Sequence, residues 1–410
     1  MHALAKTAPK QQAVALFTAA MADAAEKLYL NELCVPVYRG EFWTAKQRQA
    51  ASIHEVSYRA CFKPQLPAYF ISRLTAPGDV VYDPFSGRGT TAVEAALHNR
   101  RVIANDINPL SAILTRPRLE LPDLEAIAAR LAAIDFATRP NVDLDLSMFF
   151  HADTLQEIAA LRAYLQSRHA QNEEDAVDRW IRMVATNRLT GHSKGFFSVY
   201  TLPPNQATSA QRQVKINQQR AQTPDYRDTR ALILKKSRQL QRRLTDEQRT
   251  ALHATASRAQ FLTGKADDTR GIAGASIQLT VTSPPFLDIV QYANDNWLRC
   301  WFNSLDAEAI AAGMTMSRTI ESWNAAMAKV FAELHRVTRR NGWVAFEVGE
   351  VRKGKIRLEE HVVPMGIAAG FNCETILFNE QNFTKTANIW GISNNEAGTN
   401  SNRIVVFRKP

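Results

Sequence analysis

The segment Thr280-Val281-Thr282-Ser283-Pro284-Pro285-Phe286 puts a hydroxyl, carbonyl oxygens and an aromatic face at the end of an apolar, β-branched run. That run, from Ile277 to Val281, predicts a buried strand. Each proline removes a backbone donor and fixes φ, so the turn that follows is stiff. Such a turn can grip a flat heterocycle bearing an exocyclic amine. The Ser283 hydroxyl and the Pro284 carbonyl can accept hydrogen bonds from the amine, and Phe286 can stack on the ring. These hydrogen bonds would pull the amine lone pair out of the ring plane, where delocalisation otherwise makes it a poor nucleophile. Ser283 could also take part in proton removal, but no His or Asp partner for it is evident in the sequence, so it is not read as a strong base.

A second constellation lies far upstream: Val80-Val81-Tyr82-Asp83-Pro84-Phe85-Ser86-Gly87-Arg88-Gly89-Thr90-Thr91. A short apolar strand ends on an acid, turns through two glycines and enters a helical pattern that continues to His98. Gly87 and Gly89 permit positive φ and a close backbone approach to a ligand. The helix N-terminus behind them offers free N–H groups to a carboxylate. A second strand, Arg101 to Asp106, places an acid about 20 residues beyond the turn, where a doubly wound nucleotide fold holds ribose hydroxyls.

Together the two motifs resemble those of the amino-methylating DNA methyltransferases, the N4-cytosine and N6-adenine group. The upstream stretch is similar to their Asp-Pro-Phe-x-Gly-x-Gly cofactor motif, and Ser283 to Phe286 to their [Asn/Asp/Ser]-Pro-Pro-[Tyr/Phe/Trp] catalytic motif. Serine in the first position looks more like the N4-cytosine branch. The resemblance covers roughly residues 50–118 and 258–410. It implies a class I, Rossmann-like α/β fold with a seven-stranded, mostly parallel sheet, and S-adenosyl-L-methionine as cofactor. It assigns Asp83, Pro84, Phe85, Gly87, Gly89, Thr90, Thr91, Asp106 and Ile107 to the cofactor pocket. A Lys-Pro-like element ahead of the cofactor strand matches Phe62 and Lys63. After the third strand the family usually has Gly-Asp-Ala, whereas this chain has Gly264-Lys265-Ala266-Asp267-Asp268. The acid for the adenine amino group is therefore either Asp267 or Asp268. The implied activity is methyl transfer to N4 of cytosine in double-stranded DNA. N6 of adenine is the main alternative and an RNA amino group a further one. The family also implies a restriction-modification or related system, with a cognate endonuclease as a candidate partner, in a prokaryotic cytoplasm at the nucleoid.

Charge adds a region to these motifs. The net charge is +10, and between Asn205 and Arg258 twelve Lys/Arg stand against four Asp/Glu. A basic block in an otherwise near-neutral chain is the footprint of a polyanionic substrate. Lys235, Lys236, Arg242 and Arg243 are the candidate phosphate contacts, and Tyr292, close behind the Ser-Pro-Pro turn, a candidate base contact. The motif order resembles the alpha type, with target recognition ahead of the catalytic half. Four cysteines lack Cys-x-x-Cys spacing, which fits a reducing cytoplasm and no zinc ribbon. The nine histidines show no metal-ligand spacing. No apolar run reaches the roughly 18 residues of a membrane span, and Met1 to Gln12 lacks a secretory h-region.

The elements that must position these residues follow from periodicity. Residues 10–33 carry an Ala-rich helical pattern, so residues 1–50 read as a helical extension. Residues 51–119 form the cofactor half, 120–258 a helical basic insertion for target recognition, and 259–410 the catalytic half. Residues 187–204 read as an irregular or hairpin loop. Residues 321–340 read as an amphipathic helix, Trp343 to Val348 as a strand, and Phe371 to Phe378 with Ile404 to Phe407 as a final hairpin. Seven strand candidates alternating with helices argue an α/β sheet. His54 reads as structural.

Overall fold

The computed structural model describes residues 25–30, 33–43, 50–59, 61–202, 208–285, 292–314, 317, 319–351, 356–380 and 401–410. Its strands are β1 (Ala25–Leu30), β2 (Leu33–Gly40), β3 (Val80–Asp83), β4 (Arg101–Asp106), β5 (Gln260–Thr263), β6 (Ile277–Thr282), β7 (Thr338–Val348), β8 (Glu350–Val351), β9 (Ile356–Arg357), β10 (Asn372–Glu380) and β11 (Ser401–Arg408). Nine of them form one sheet in the order β1-β2-β10-β11-β7-β6-β3-β4-β5, and β8 and β9 make a separate short ribbon. β3 runs parallel to β4 and β6, β4 to β5, and β6 to β7, while β11 is antiparallel to both β7 and β10. The fold is class I and Rossmann-like. The chain winds outward from β3 through β5, then returns to β6. Strand order therefore reverses between β3 and β6, and ligands bind outside the carboxyl ends of strands at such a point. Asp83 and Ser283 stand at those two ends.

Among the described residues the sheet has nine strands, not seven, because Ala25–Leu30 and Leu33–Gly40 are strands and not helix. β1 and β2 form an antiparallel pair, and β2 adds parallel to β10. Val35, Val37 and Tyr38 are buried there. Pairing with β10 and burial of β-branched and aromatic side chains override the local helical pattern. The remainder of the Ala-rich stretch, residues 10–24, lies outside the described residues.

β6 is buried along its whole length, as a central parallel strand must be. One face of the sheet is covered by α1 (Gln65–Leu74), α2 (Thr90–Leu97) and α3 (Leu110–Glu120), together with the insertion. The insertion comprises α4 (Leu124–Ala133), α5 (Ala152–Ala170), α6 (Ala176–Arg188), α7 (Ala210–Gln219), α8 (Thr229–Gln241) and α9 (Asp246–Ala256). α6 is its core helix. Trp180 is fully buried and donates from Nε1 to Ser237 Oγ at 2.9 Å. The insertion residues join the same apolar cluster as Leu66, Val93, Leu279 and Val281, so the insertion is a layer of the main body. α10 (Tyr292–Asn303) packs against it, and α11 (Ala307–Gly313) follows. The other face is covered by α12 (Ile320–Val337) and α13 (Leu358–Ala368), through Trp323, Phe331, Val362 and their neighbours. Asn187 and Arg188 end α6, and residues 189–202 are irregular apart from one bridge between Gly191 and Tyr200.

Candidate active site

The glycine turn is built around Asp106. The N–H of Gly87 donates to Asp106 Oδ2 at 2.7 Å and that of Asn108 to Oδ1 at 3.0 Å. Burial pushes the Asp106 carboxyl up to about 6, and these backbone donors pull it part of the way back. Gly87 and Gly89 have φ of 52° and 72°. At Gly89 a Cβ would stand 2.1 Å from Thr115 Oγ1, so this N-cap of α2 requires glycine.

Hydrogen bonds tie the two motifs together beneath this turn. Thr282 Oγ1 donates to Asp83 Oδ1 at 2.6 Å, the Phe85 N–H donates to the same oxygen at 3.1 Å, and Thr91 Oγ1 donates to the Val281 carbonyl at 3.0 Å. Burial raises the Asp83 carboxyl to about 7 despite the donors from Thr282 and Phe85. Trp323 Nε1 on α12 donates to the Pro285 carbonyl at 3.0 Å and fixes the Ser-Pro-Pro turn from the opposite layer.

Above these contacts lies a cavity of about 350 Å³ that both motifs line. Phe62, Pro84, Phe85, Gly87, Asp106, Ile107 and Asp267 face it from the cofactor side, and Ser283, Pro284 and Pro285 from the other. Several residues assigned to the pocket from sequence do not reach it. Asp83, Thr90 and Thr91 are buried under the turn, where their oxygens serve the hydrogen bonds that shape it; Thr90 Oγ1 accepts from Arg88 Nε at 3.2 Å. Gly89 is packed against Thr115. Lys63 is half-buried outside the cavity wall, and burial lowers its ammonium pKa. Of the two candidate acids, Asp267 is on the wall, whereas Asp268 is exposed and pairs with Arg270 at 3.0 Å. Phe286 lies outside the described residues, as does the side chain of Tyr292.

The wall also holds residues that the motifs did not flag. Tyr58 accepts from Asn108 Nδ2 at 2.9 Å, and burial drives its phenol pKa upward. Arg59 pairs with Asp295 of α10 at 2.5 Å, and Arg299 donates to the Ser57 carbonyl at 3.2 Å. Glu347 closes the cavity at the end of β7, with Asn402 of β11 beside it. A lone carboxylate in the otherwise apolar run Trp343 to Val348 was the available signal for Glu347. The spacing of Asp295, Asn296 and Arg299 on one helical face was the signal for the others.

S-adenosyl-L-methionine fits this donor set. Asp106 would offer carboxylate oxygens at a strand tip to ribose hydroxyls, Phe85 and Ile107 an apolar surface to a base, and Asp267 an acceptor to an amino group. Among the described residues no group of three or more His, Cys, Asp or Glu could hold a metal ion. No helix among them is long and apolar enough to cross a membrane.

The candidate DNA contacts divide. Lys235, Arg242 and Arg243 are exposed. Lys236 is not available: it is 5% exposed, its ammonium lies 4.0 Å from Glu55, and burial lowers its pKa to about 7. Arg242 also pairs with Glu55, at 3.1 Å. The helical face predicted to be basic is therefore partly a packing face against residues 52–55. Nearer the cavity, the loop after α6 is anchored by Asn187, whose side chain makes two hydrogen bonds with the Ser57 backbone. Its tip, His192, Ser193 and Lys194, is exposed.

Residues 24–112 match the family model for N6- and N4-type enzymes described as DNA methylase. The type II methyltransferase M.MjaII of Methanocaldococcus jannaschii is 30% identical over 84 residues, covering 20% of this chain and 16% of that protein. The orphan methyltransferase M.BamHII of Bacillus amyloliquefaciens is 34% identical over 74 residues, 18% of this chain and 28% of that one. The rRNA methyltransferase AviRa of Streptomyces viridochromogenes superposes over 88% of this chain and 90% of its own, with 11% identity and a TM-score of 0.33. The aligned region thus spans well under a third of the two methyltransferases matched by sequence.

Proposed function

We propose that this chain is a DNA methyltransferase that uses S-adenosyl-L-methionine and methylates an exocyclic amine of a base, with N4 of cytosine as the favoured target. The observation that carries the reading is the shared cavity. Residues far apart in sequence, Asp106 with Phe85 and Ser283 with Pro284 and Pro285, converge on one space of about 350 Å³ at the strand-order switch. The cofactor supplies a methyl group on a positively charged sulfur. The protein's task is to hold two partners in line and to exclude water. Asp106 holds the ribose, Asp267 the adenine amino group, and Phe62, Phe85 and Ile107 the apolar surfaces. Ser283 and the Pro284 carbonyl orient the target amine, and Phe286 stacks on the flipped base.

The match to the N6/N4 family model supports amine methylation in DNA, and Ser283 favours cytosine within that group. The substrate is double-stranded DNA, engaged by Lys235, Arg242, Arg243 and the His192–Lys194 loop tip, and Tyr292 lies close behind the Ser-Pro-Pro turn. A restriction-modification or related system, with a cognate endonuclease as partner, is the setting in which such an activity would work. The test is mass spectrometry of nucleosides from DNA and RNA treated with the purified protein. N4-methylcytosine in DNA alone is the expected product. N6-methyladenine would overturn the base assignment, and methylation confined to RNA would overturn the substrate.

A further inference from the structure

We propose that Glu347 is the proton acceptor of this site and works through the Ser283 hydroxyl, an inference that rests on the amine-methylation reading above. Its placement is set by the sheet. β6 and β7 are parallel neighbours with Thr282 opposite Phe346, so Ser283, the first residue beyond β6, stands next to Glu347 near the end of β7. The Ser283 hydroxyl stands beside the Glu347 carboxylate on the cavity wall and lowers its pKa, and Asn402 Nδ2 donates to Glu347 Oε1. Both side chains of the Ser283–Glu347 pair line the cavity, yet Glu347 is only 7% exposed. Its neighbours on the same face of β7, Trp343 and Ala345, are buried and apolar. An apolar residue would fill that position without the cost of desolvating a carboxylate. A role confined to gripping Asn402 would not require a carboxylate that also bonds to the turn holding the target amine.

The electrostatics agree with this geometry. Burial pushes the Glu347 carboxyl up to about 7, and the hydrogen bonds from Asn402 and Ser283 draw it back only in part. A base whose pKa lies near working pH is both largely ionised and able to take a proton. Cys61 feels the Glu347 charge, and its own thiol is pushed up by burial. The charged groups elsewhere on the wall are Arg59 paired with Asp295, Arg299, Asp106, Lys265 and Asp267.

The step balances as follows. The amine lone pair forms the new N–CH3 bond, and the S–CH3 bond breaks with its electron pair staying on sulfur. The nitrogen now carries one proton too many. Ser283 takes that proton as its own hydroxyl proton passes to Glu347, which later releases it to water. A methylated aryl-type ammonium is strongly acidic, so a carboxylate is base enough.

Single-turnover methyl transfer to DNA by the full chain, followed from about pH 5.5 to about 9, tests the relay. The expected wild-type rate rises with pH through an inflection near 7 and then levels. Glu347→Gln is expected to lose the inflection and about a hundredfold in rate at high pH. Its cofactor affinity by calorimetry should remain within about twofold, because a proton relay adds nothing to ground-state binding. Ser283→Ala should lose as much, and the double variant little more, as residues acting in one unit do. A Glu347→Gln rate that is lower at every pH with the inflection intact overturns the relay and leaves a structural role. If Glu347→Gln does not fold, the wild-type profile decides, and a flat rate between about pH 6 and about 8 overturns the relay. Wild-type protein that transfers no methyl group overturns the amine-methylation reading and the relay with it. An active wild type with an unchanged Glu347→Gln profile overturns the relay alone.

Discussion

At the scale of single residues, Asp106 and Gly89 make opposite demands on the same turn. Asp106 accepts from the backbone N–H groups of Gly87 and Asn108 and lines the cavity. Asp106→Ala should lower cofactor affinity by about ten- to a hundredfold, the loss of charge-assisted hydrogen bonds of about 1.5–3 kcal/mol. Calorimetry would measure it, and unchanged affinity would remove Asp106 from the pocket. The ionised carboxylate is the accepting form. Cofactor affinity in the wild type should therefore hold above the Asp106 value of about 6 and weaken as pH falls through it. Asp106→Asn should flatten that dependence. Gly89→Ala asks a different question. Its methyl group would meet Thr115 at 2.1 Å in a left-handed conformation. The strain of about 1–2 kcal/mol and the overpacking of about 1–3 kcal/mol should lower the melting temperature markedly. A melting curve that matched the parent would show that the turn can relax.

At the scale of elements, the insertion is a layer of the main body. Its α6 is packed between the sheet-facing helices and α8, and its basic side chains are used unequally. Lys236 is buried beside Glu55, whereas Lys235, Arg242 and Arg243 point outward. Each Lys or Arg that neutralises a phosphate steepens the salt slope of DNA binding by about 0.9. The triple variant Lys235→Ala/Arg242→Ala/Arg243→Ala should weaken binding on all sequences and flatten that slope. Lys236→Met should leave the slope unchanged and stabilise the fold or leave it neutral, because it removes a poorly compensated buried charge. Filter binding across a salt series would separate the two. An unaffected triple variant would move the DNA surface to the tip at His192, Ser193 and Lys194.

At the scale of the whole molecule, buried carboxyls make stability depend on pH. Asp83 and Glu347 are both pushed up to about 7 by burial. Their folded values exceed the unfolded ones near 4, so the protonated forms favour the folded state. That stability is fully present below about pH 4 and is lost as pH rises through about 7. Glu333 acts in the other direction. Its pairing with Arg336 holds its carboxyl at about 2, so its contribution is present above the unfolded value and is lost as pH falls toward about 2. Thermal stability should therefore peak in the mildly acidic range and fall by a few degrees toward pH 8. Asp83→Asn should blunt the alkaline side of that peak. A melting temperature that rose steadily to pH 8 would show that these carboxyls ionise without cost.

Local order along the chain is what the sequence determined by itself. The β-branched run before Ser283, the stiffness of Pro284-Pro285, and the strand, glycine turn and helix around Gly87 and Gly89 are written in neighbouring residues, because φ restrictions and side-chain periodicity act over a few positions. The seven core strands and the helical character of the insertion were legible for the same reason. Sheet pairing is not local. Residues 25–40 became a strand pair because β10 offered them a partner, and no periodicity within that segment carries that information. Burial is likewise decided by what packs above a side chain, so Lys236 could not be told from Lys235, nor Asp267 from Asp268, before the helices and strands were assembled. Glu347 met Ser283 only because β7 lies beside β6, and Asn402 met Glu347 because β11 lies beside β7, so the neighbour of the Ser283 hydroxyl was found in the tertiary structure, far along the chain.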